Sequence, residues 1–155
     1  MTEIDFALDQ KKDTDIIELV GTVIWNKANE HKSFQNLSEQ EKIFVFIDIF
    51  ESEINNEGLY GFFYNTSGEY SHEVLQAYST INANETANIL DKALRLFPEL
   101  PVPKDIILRR QFMKKLKIED LELWSNLELD LVNSHEDVVN LTIAYIKLHK
   151  TKFEY

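Results

Sequence analysis

The stretch "LSEQEKIFVFIDIFESEIN", residues 37–55, decides the fold class. Its centre, "IFVFIDIF", invites a strand reading, because β-branched and aromatic residues dominate it. Its start argues for a helix. Ser38 and Glu41 stand three apart, the spacing of a capping box, in which each side chain bonds the other's backbone amide. Leu37 precedes the cap, where an apolar residue staples a helix entry. Ile43, Phe44, Ile47, Phe50 and Ile54 then recur at helical spacing, while Val45, Phe46 and Ile49 widen the apolar surface. The stretch is expected to be a central helix, buried on several sides.

Working outward, the remaining segments also carry helical periodicity. "TDIIELVGTVIWNKANEH" sets Ile16, Val20, Val23 and Ile24 on one stripe with Ile17 beside it, and Thr14 or Asp13 is the expected cap. "EYSHEVLQAYSTI" offers Val74, Leu75, Tyr78 and Ile81. "NETANILDKALRLF" offers Ile89, Leu90, Ala93, Leu94 and Phe97, with Asn84 as cap and Asp91/Arg95 as an i,i+4 pair. Pro98, Pro101 and Pro103 end that helix and form a rigid connector. "KDIILRRQFMKKLK" suggests a stripe of Ile107, Leu108, Phe112 and Leu116. "EDLELWSNLELDLV" suggests Leu121, Trp124, Leu127 and Leu131. Ser134 with Asp137 is expected to cap a last helix bearing Val138, Leu141, Ala144, Tyr145 and Leu148. Lys147, Lys150 and Lys152 lie at its carboxyl end, where the helix dipole favours cations. The expected fold is all-α, a compact single-domain bundle of about seven helices over residues 1–155. Residues 1–36 supply an amino-terminal helix and its lead-in.

Composition fits a globular domain: 155 residues, 44% hydrophobic and 28% charged. There is no cysteine, which removes disulfides and Cys-based zinc sites. The polar, acidic start lacks a signal-peptide pattern, and no apolar run reaches the ~18 residues of a membrane span. The expected location is the cytoplasm, where the Asn-x-Ser/Thr sequons at Asn65, Asn84 and Asn140 carry no meaning. Charge is the unusual feature. Twenty-seven acids face 16 bases, a net charge of −11. Residues 43–90 hold no Lys or Arg and carry Asp48, Glu51, Glu53, Glu57, Glu69, Glu73 and Glu85. Residues 118–146 are likewise base-free and carry Glu119, Asp120, Glu122, Glu128, Asp130, Glu136 and Asp137. Between the windows lies a basic segment with Lys104, Arg109, Arg110, Lys114, Lys115 and Lys117. Most of such a surface repels nucleic acid and anionic membrane.

The stretch after the central helix, "NNEGLYGFFYNTSGEY" (55–70), holds three of the four glycines and five of the sixteen Phe and Tyr residues. Gly58 suits a left-handed helix end. Leu59, Phe62 and Phe63 can face the core. In the turn "NTSG", Asn65 can bond its own backbone, and Gly68 again suits a positive φ. Tyr60, Tyr64 and Tyr70 join an apolar ring to a polar tip, a chemistry that also suits an interface.

That stretch, followed by "HEVLQAYSTINANETANILDKALRLFP", resembles the bacterial DNA-mimic protein family, a small acidic helical domain. Members show an Asn-Gly-Gly-hydrophobic turn, an aromatic doublet and then Asn-x-x-Gly-acid. The counterparts here are Asn56-Glu57-Gly58-Leu59, Phe62-Phe63, and Asn65 through Gly68-Glu69. "LELWSNLELDLVNSHEDVVNLTIAYIKLH" resembles the family's acidic carboxyl-terminal helix pair. The resemblance covers roughly residues 37–150. Glu57 departs from the usual first glycine, and Gly61 from a larger polar residue.

The resemblance implies a protein whose carboxylates imitate DNA phosphates and occupy the DNA-binding face of a basic regulator or nucleoid protein. It also implies a homodimer, for which the basic segment complements the acidic windows. The candidate face comprises Asp48, Glu51, Glu53, Glu57, Glu69, Glu73, Glu119, Asp120, Glu122, Glu128, Asp130, Glu136 and Asp137. Asp48/Glu51, Glu69/Glu73 and Glu119/Glu122 have the i,i+3 or i,i+4 spacing that puts two carboxylates on one helix face. An immunity-type inhibitor of a basic toxin would use the same electrostatics. An enzyme is the weaker alternative. His31, His72, His135 and His149 are scattered and read as solvated surface histidines, and no nucleophile has a base beside it. No cofactor, metal, nucleic-acid or membrane partner is expected.

Overall fold

A computed structural model of the chain describes residues 1–153. Regular structure among them is helical throughout, with eight α-helices, two 3-10 turns and no strand. The chain forms two compact units. One comprises Met1–Asp48 with the chain from Asp137 onward, the other Ile49–Glu136. None of the described helices is long and apolar enough to cross a membrane.

In the first unit, α1 (Glu3–Leu8) is a helix that periodicity did not announce. It is six residues long, too short to show a stripe, and a reciprocal cap sets it. Thr2 Oγ1 accepts the Asp5 amide and Asp5 Oδ2 accepts the Thr2 amide, both at 3.0 Å. Asp5 also pairs with Lys150. α2 (Asp13–His31) buries Ile16, Val20, Ile24 and Ala28 at i,i+4 steps. Its N-cap is Lys12, so neither Thr14 nor Asp13 caps it. Both lie inside the first turn, where acids complement the dipole. The capping box of α3 (Glu39–Tyr64) is present: Ser38 Oγ accepts the Glu41 amide at 3.0 Å, and Glu41 Oε1 accepts the Ser38 amide at 2.8 Å. Glu41 is fully buried and takes Lys27 Nζ at 3.1 Å.

α8 (Val138–Leu148) packs on α2 and buries Thr142, Ile143 and Ile146. Ala144 and Leu148 of the expected stripe are exposed. The run "VVNLTIAYIKL" is apolar on most sides, so periodicity alone left its rotation open. Asp137 caps α8, accepting the Asn140 amide at 3.0 Å. Ser134 instead closes the preceding helix.

In the second unit, the remainder of α3 leads through a 3-10 turn (Thr66–Tyr70) into α4 (Ser71–Thr80) and α5 (Asn84–Leu94), followed by α6 (Ile106–Lys114) and α7 (Ile118–Asn133). The core is aromatic. Phe63 stacks on Trp124 at 4.9 Å and meets Phe62 and Phe97 edge-on, while Phe50 sits edge-on to Phe62 and Tyr78. Trp124 Nε1 donates to the Ala93 carbonyl at 3.0 Å, which satisfies its buried polar atom. α6 corrects the expected stripe. Ile107 and Leu108 are exposed, and Arg109 and Met113 face inward.

Candidate functional site

The motif of residues 56–69 is held by contacts far away in sequence. At Gly58 the helix α3 is broken by φ 70, ψ −173. The break leaves the Leu59 amide without a helical partner. Glu128 of α7 supplies one, accepting it through Oε1 at 2.6 Å. The torsion requires glycine here, and a Cβ at position 58, 2.6 Å from that same oxygen, would also push the Glu128 carboxylate off the Leu59 amide.

Gly68 is required by space alone. It does not have the positive φ expected, since Gly58 is the glycine that does. A Cβ at 68 would lie 2.5 Å from the Phe63 carbonyl and 2.6 Å from Arg109 Nε. Arg109 is fully buried. Its Nε donates to Phe63 O at 2.6 Å, Nη2 to Asn65 O at 2.8 Å, and Nη1 to Pro103 O at 3.0 Å and Lys104 O at 2.9 Å. Burial pulls the guanidinium below its usual pKa, and Glu69 nearby opposes that pull. The Asn65 side chain does not close on its own backbone; its amide donates to Glu53 at 3.4 Å. The connector is tied down as well. His72 Nε2 accepts the Val102 amide at 2.9 Å, so this half-buried histidine is structural and not a solvated surface group.

Phe62 and Phe63 are buried. Tyr60 and Tyr64 are exposed and stacked on each other at 5.8 Å. Arg110 lies 4.0 Å over the Tyr64 ring and donates Nε to the Tyr64 carbonyl at 2.9 Å.

The thirteen candidate acids separate by what they hold. Three satisfy helix amides within the second unit. Glu128 serves Leu59, Asp120 accepts the Lys117 amide at 3.0 Å, and Glu136 accepts the Glu85 and Thr86 amides at 3.1 and 2.9 Å. Glu136 thus does at the start of α5 what was expected of Asn84, whose side chain makes no cap bond. Asp137 caps α8. Asp48 accepts Trp25 Nε1 at 2.7 Å, Glu51 accepts the Tyr78 hydroxyl at 2.6 Å, and Glu73 pairs with Lys104 at 2.5 Å. Glu53 takes Asn65. Glu69 is exposed beside Tyr70, and its backbone carbonyl takes Lys104 Nζ at 2.9 Å. Glu57, Glu119, Glu122 and Asp130 are exposed and, among the described residues, form no hydrogen bond or ion pair. Three of these four lie on α7. Asp120 and Asp137 serve amides three residues away, within reach of a sequence reading, whereas the amides that Glu128 and Glu136 serve lie dozens of residues off and no local spacing reveals them.

A model of the family described as DMP19-like protein matches residues 35–149. The chain belongs to this DNA-mimic family. The DMP19-like match contains the Gly58 break, the Phe62-Phe63 doublet, Gly68, Arg109 and all of α7. Residues before 35, with α1 and α2, lie outside it. Neither a curated protein nor a solved structure matches the chain.

Proposed function

We propose that this chain is a cytoplasmic, non-enzymatic interaction protein that covers the DNA-binding face of a basic regulator or nucleoid protein. The observation that carries the reading is membership of a DNA-mimic family across residues 35–149. A net charge of −11 supports it, because a field of that sign steers a cationic partner inward. The acids best suited to contact are Glu57, Glu119, Glu122 and Asp130, which are exposed and uncommitted; Glu69 is exposed as well but its carboxylate bonds Tyr70. Glu119 and Glu122 stand one helical turn apart, about 5–6 Å at Cβ. Their repulsion is relieved when a Lys or Arg settles between them. Self-association through the basic segment is part of the proposal. Lys104, Arg109 and Arg110 are already bonded internally, so Lys114, Lys115 and Lys117 would serve it.

A pull-down from native cell extract at low salt, with and without excess duplex DNA, tests the reading. Recovery of a DNA-binding protein only without DNA supports it. Recovery of a toxin regardless of DNA moves the function to immunity. Retention of nothing basic at any salt sinks both.

A further inference from the structure

The exposed half of α7 is more than acidic. Ile118, Leu129 and Val132 are 73%, 58% and 80% exposed. At 3.6 residues per turn they fall within a sector of about 60° and run about 21 Å along the helix. Glu122, Glu119 and Asp130 fill the adjacent sector of about 80°. The opposite half of the same helix buries Trp124 and Leu127, so α7 has an inner apolar stripe and a second, outer one. A solvated helix face needs only polar residues there. Leu129 and Val132 stand one turn apart and Ile118 lies on the same line about 16 Å away at the start of the helix, so exposed aliphatic side chains run beside acids that have no internal partner.

We propose that this outer face of α7 is a docking surface for a partner helix that carries an apolar ridge flanked by lysine or arginine. The inference rests on the reading above and gives its contact surface a chemistry. A DNA backbone offers phosphates and sugars with no aliphatic row, so a face with leucine and valine does more than copy phosphate spacing. It matches an amphipathic basic helix, whose apolar side chains cover Ile118, Leu129 and Val132 while its bases meet Glu119, Glu122 and Asp130. Charge decides the occupant, since residues 118–146 contain no Lys or Arg. A second copy is the rival occupant: Lys104, Arg109 and Arg110 of its basic segment are committed internally, while Lys114, Lys115 and Lys117 are exposed, and sedimentation with NMR tells the two occupants apart.

The test uses the full chain and a synthetic helical peptide of roughly 18 residues, long enough to span the row, with leucines on one face and lysines on one flank. Two control peptides replace the leucines by alanine or the lysines by glutamate. Binding is read by calorimetry and by amide shifts in NMR spectra. The leucine/lysine peptide should bind with shifts centred on α7, and both controls should bind at least about tenfold more weakly. I118S/L129S/V132S and E119Q/E122Q/D130N should each weaken binding by a similar factor. The second variant keeps the test decisive should the first fold poorly. Equal binding of the alanine/lysine peptide, shifts centred elsewhere, or an α7 covered by a second copy in sedimentation and NMR would overturn the proposal. A peptide bound on α7 together with a pull-down that fails would overturn the DNA-mimic reading and leave the docking face standing.

Discussion

Arg109 Nε donates to the carbonyl of Phe63 at 2.6 Å, and this bond joins α6 to the end of the aromatic doublet. Together with the bonds to Asn65, Pro103 and Lys104, it gathers four backbone carbonyls from two separate stretches of chain around one guanidinium. Lysine cannot replace the planar fork, which directs several donors at fixed angles. Arg109→Lys should therefore leave buried carbonyls unpaired and cost on the order of 3 kcal/mol. Urea unfolding monitored by circular dichroism checks this, and a midpoint equal to that of the parent chain would refute the clamp. Gly68→Ala should act on the same clamp, because its Cβ meets Phe63 O at 2.5 Å.

Neighbouring aromatic residues should separate cleanly. Phe63 is fully buried against Trp124 and Phe97, whereas Tyr60 is 46% exposed. Phe63→Ala should cost roughly 3–5 kcal/mol. Tyr60→Ala should cost less, since the Tyr60–Tyr64 stack is open to water. Similar losses for the two variants in parallel urea titrations would contradict this packing.

Local signals were legible in the sequence. Ser38 and Glu41 sit three residues apart and bond each other, so the cap and its helix could be read together. The break at Gly58 was also readable, because a left-handed turn favours glycine. Arg109 was not. Its place inside follows from carbonyls at residues 63, 65, 103 and 104, which only the fold assembles. That is why a stripe of Ile107 and Leu108 looked convincing and proved to be surface. Glu128 and Glu136 read as surface acids for the same reason, since nothing in their neighbourhood announces Leu59 or Thr86.

Two titrations should lie outside their usual ranges. Burial, and then Glu69 and Glu73, raise the Tyr70 phenol from 10.0 to about 12. A raised folded pKa gives a contribution that is intact below pH ~10 and is lost as pH rises toward 12. Ultraviolet difference titration of Tyr70→Phe against the parent chain should remove a transition near pH 12. Asp5 moves the other way. Its bond with Lys150, aided by the Thr2 amide, lowers its carboxyl from 3.8 to about 2. The contribution it makes to holding α1 is present above pH 3.8 and is lost as pH falls through about 2. Carboxyl carbon shifts measured by NMR should show that late titration, and Lys150→Met should return it toward the ordinary range.

The acids should fall into two classes with opposite phenotypes. Glu136 holds two amides at the start of α5, and Glu128 holds the one freed at Gly58. Glu136→Ala and Glu128→Ala should each lower stability by about 1 kcal/mol, the usual worth of a helix cap. Hydrogen exchange should accelerate first at Thr86 and Leu59 respectively. Glu119→Gln, Glu122→Gln and Asp130→Asn remove charge from exposed side chains with no internal partner, and should change stability by less than about 0.5 kcal/mol. Their effect should appear in binding to the recovered DNA-binding partner. Association should slow and lose its salt dependence, because rim charges act through the field that steers encounter. Stopped-flow association at two ionic strengths, beside urea midpoints for all five variants, separates the classes. Capping variants that bind normally when folded, with exposed variants that fold normally and associate slowly, is the expected pattern. The reverse assignment would mean that the binding face is built from the acids the fold already uses.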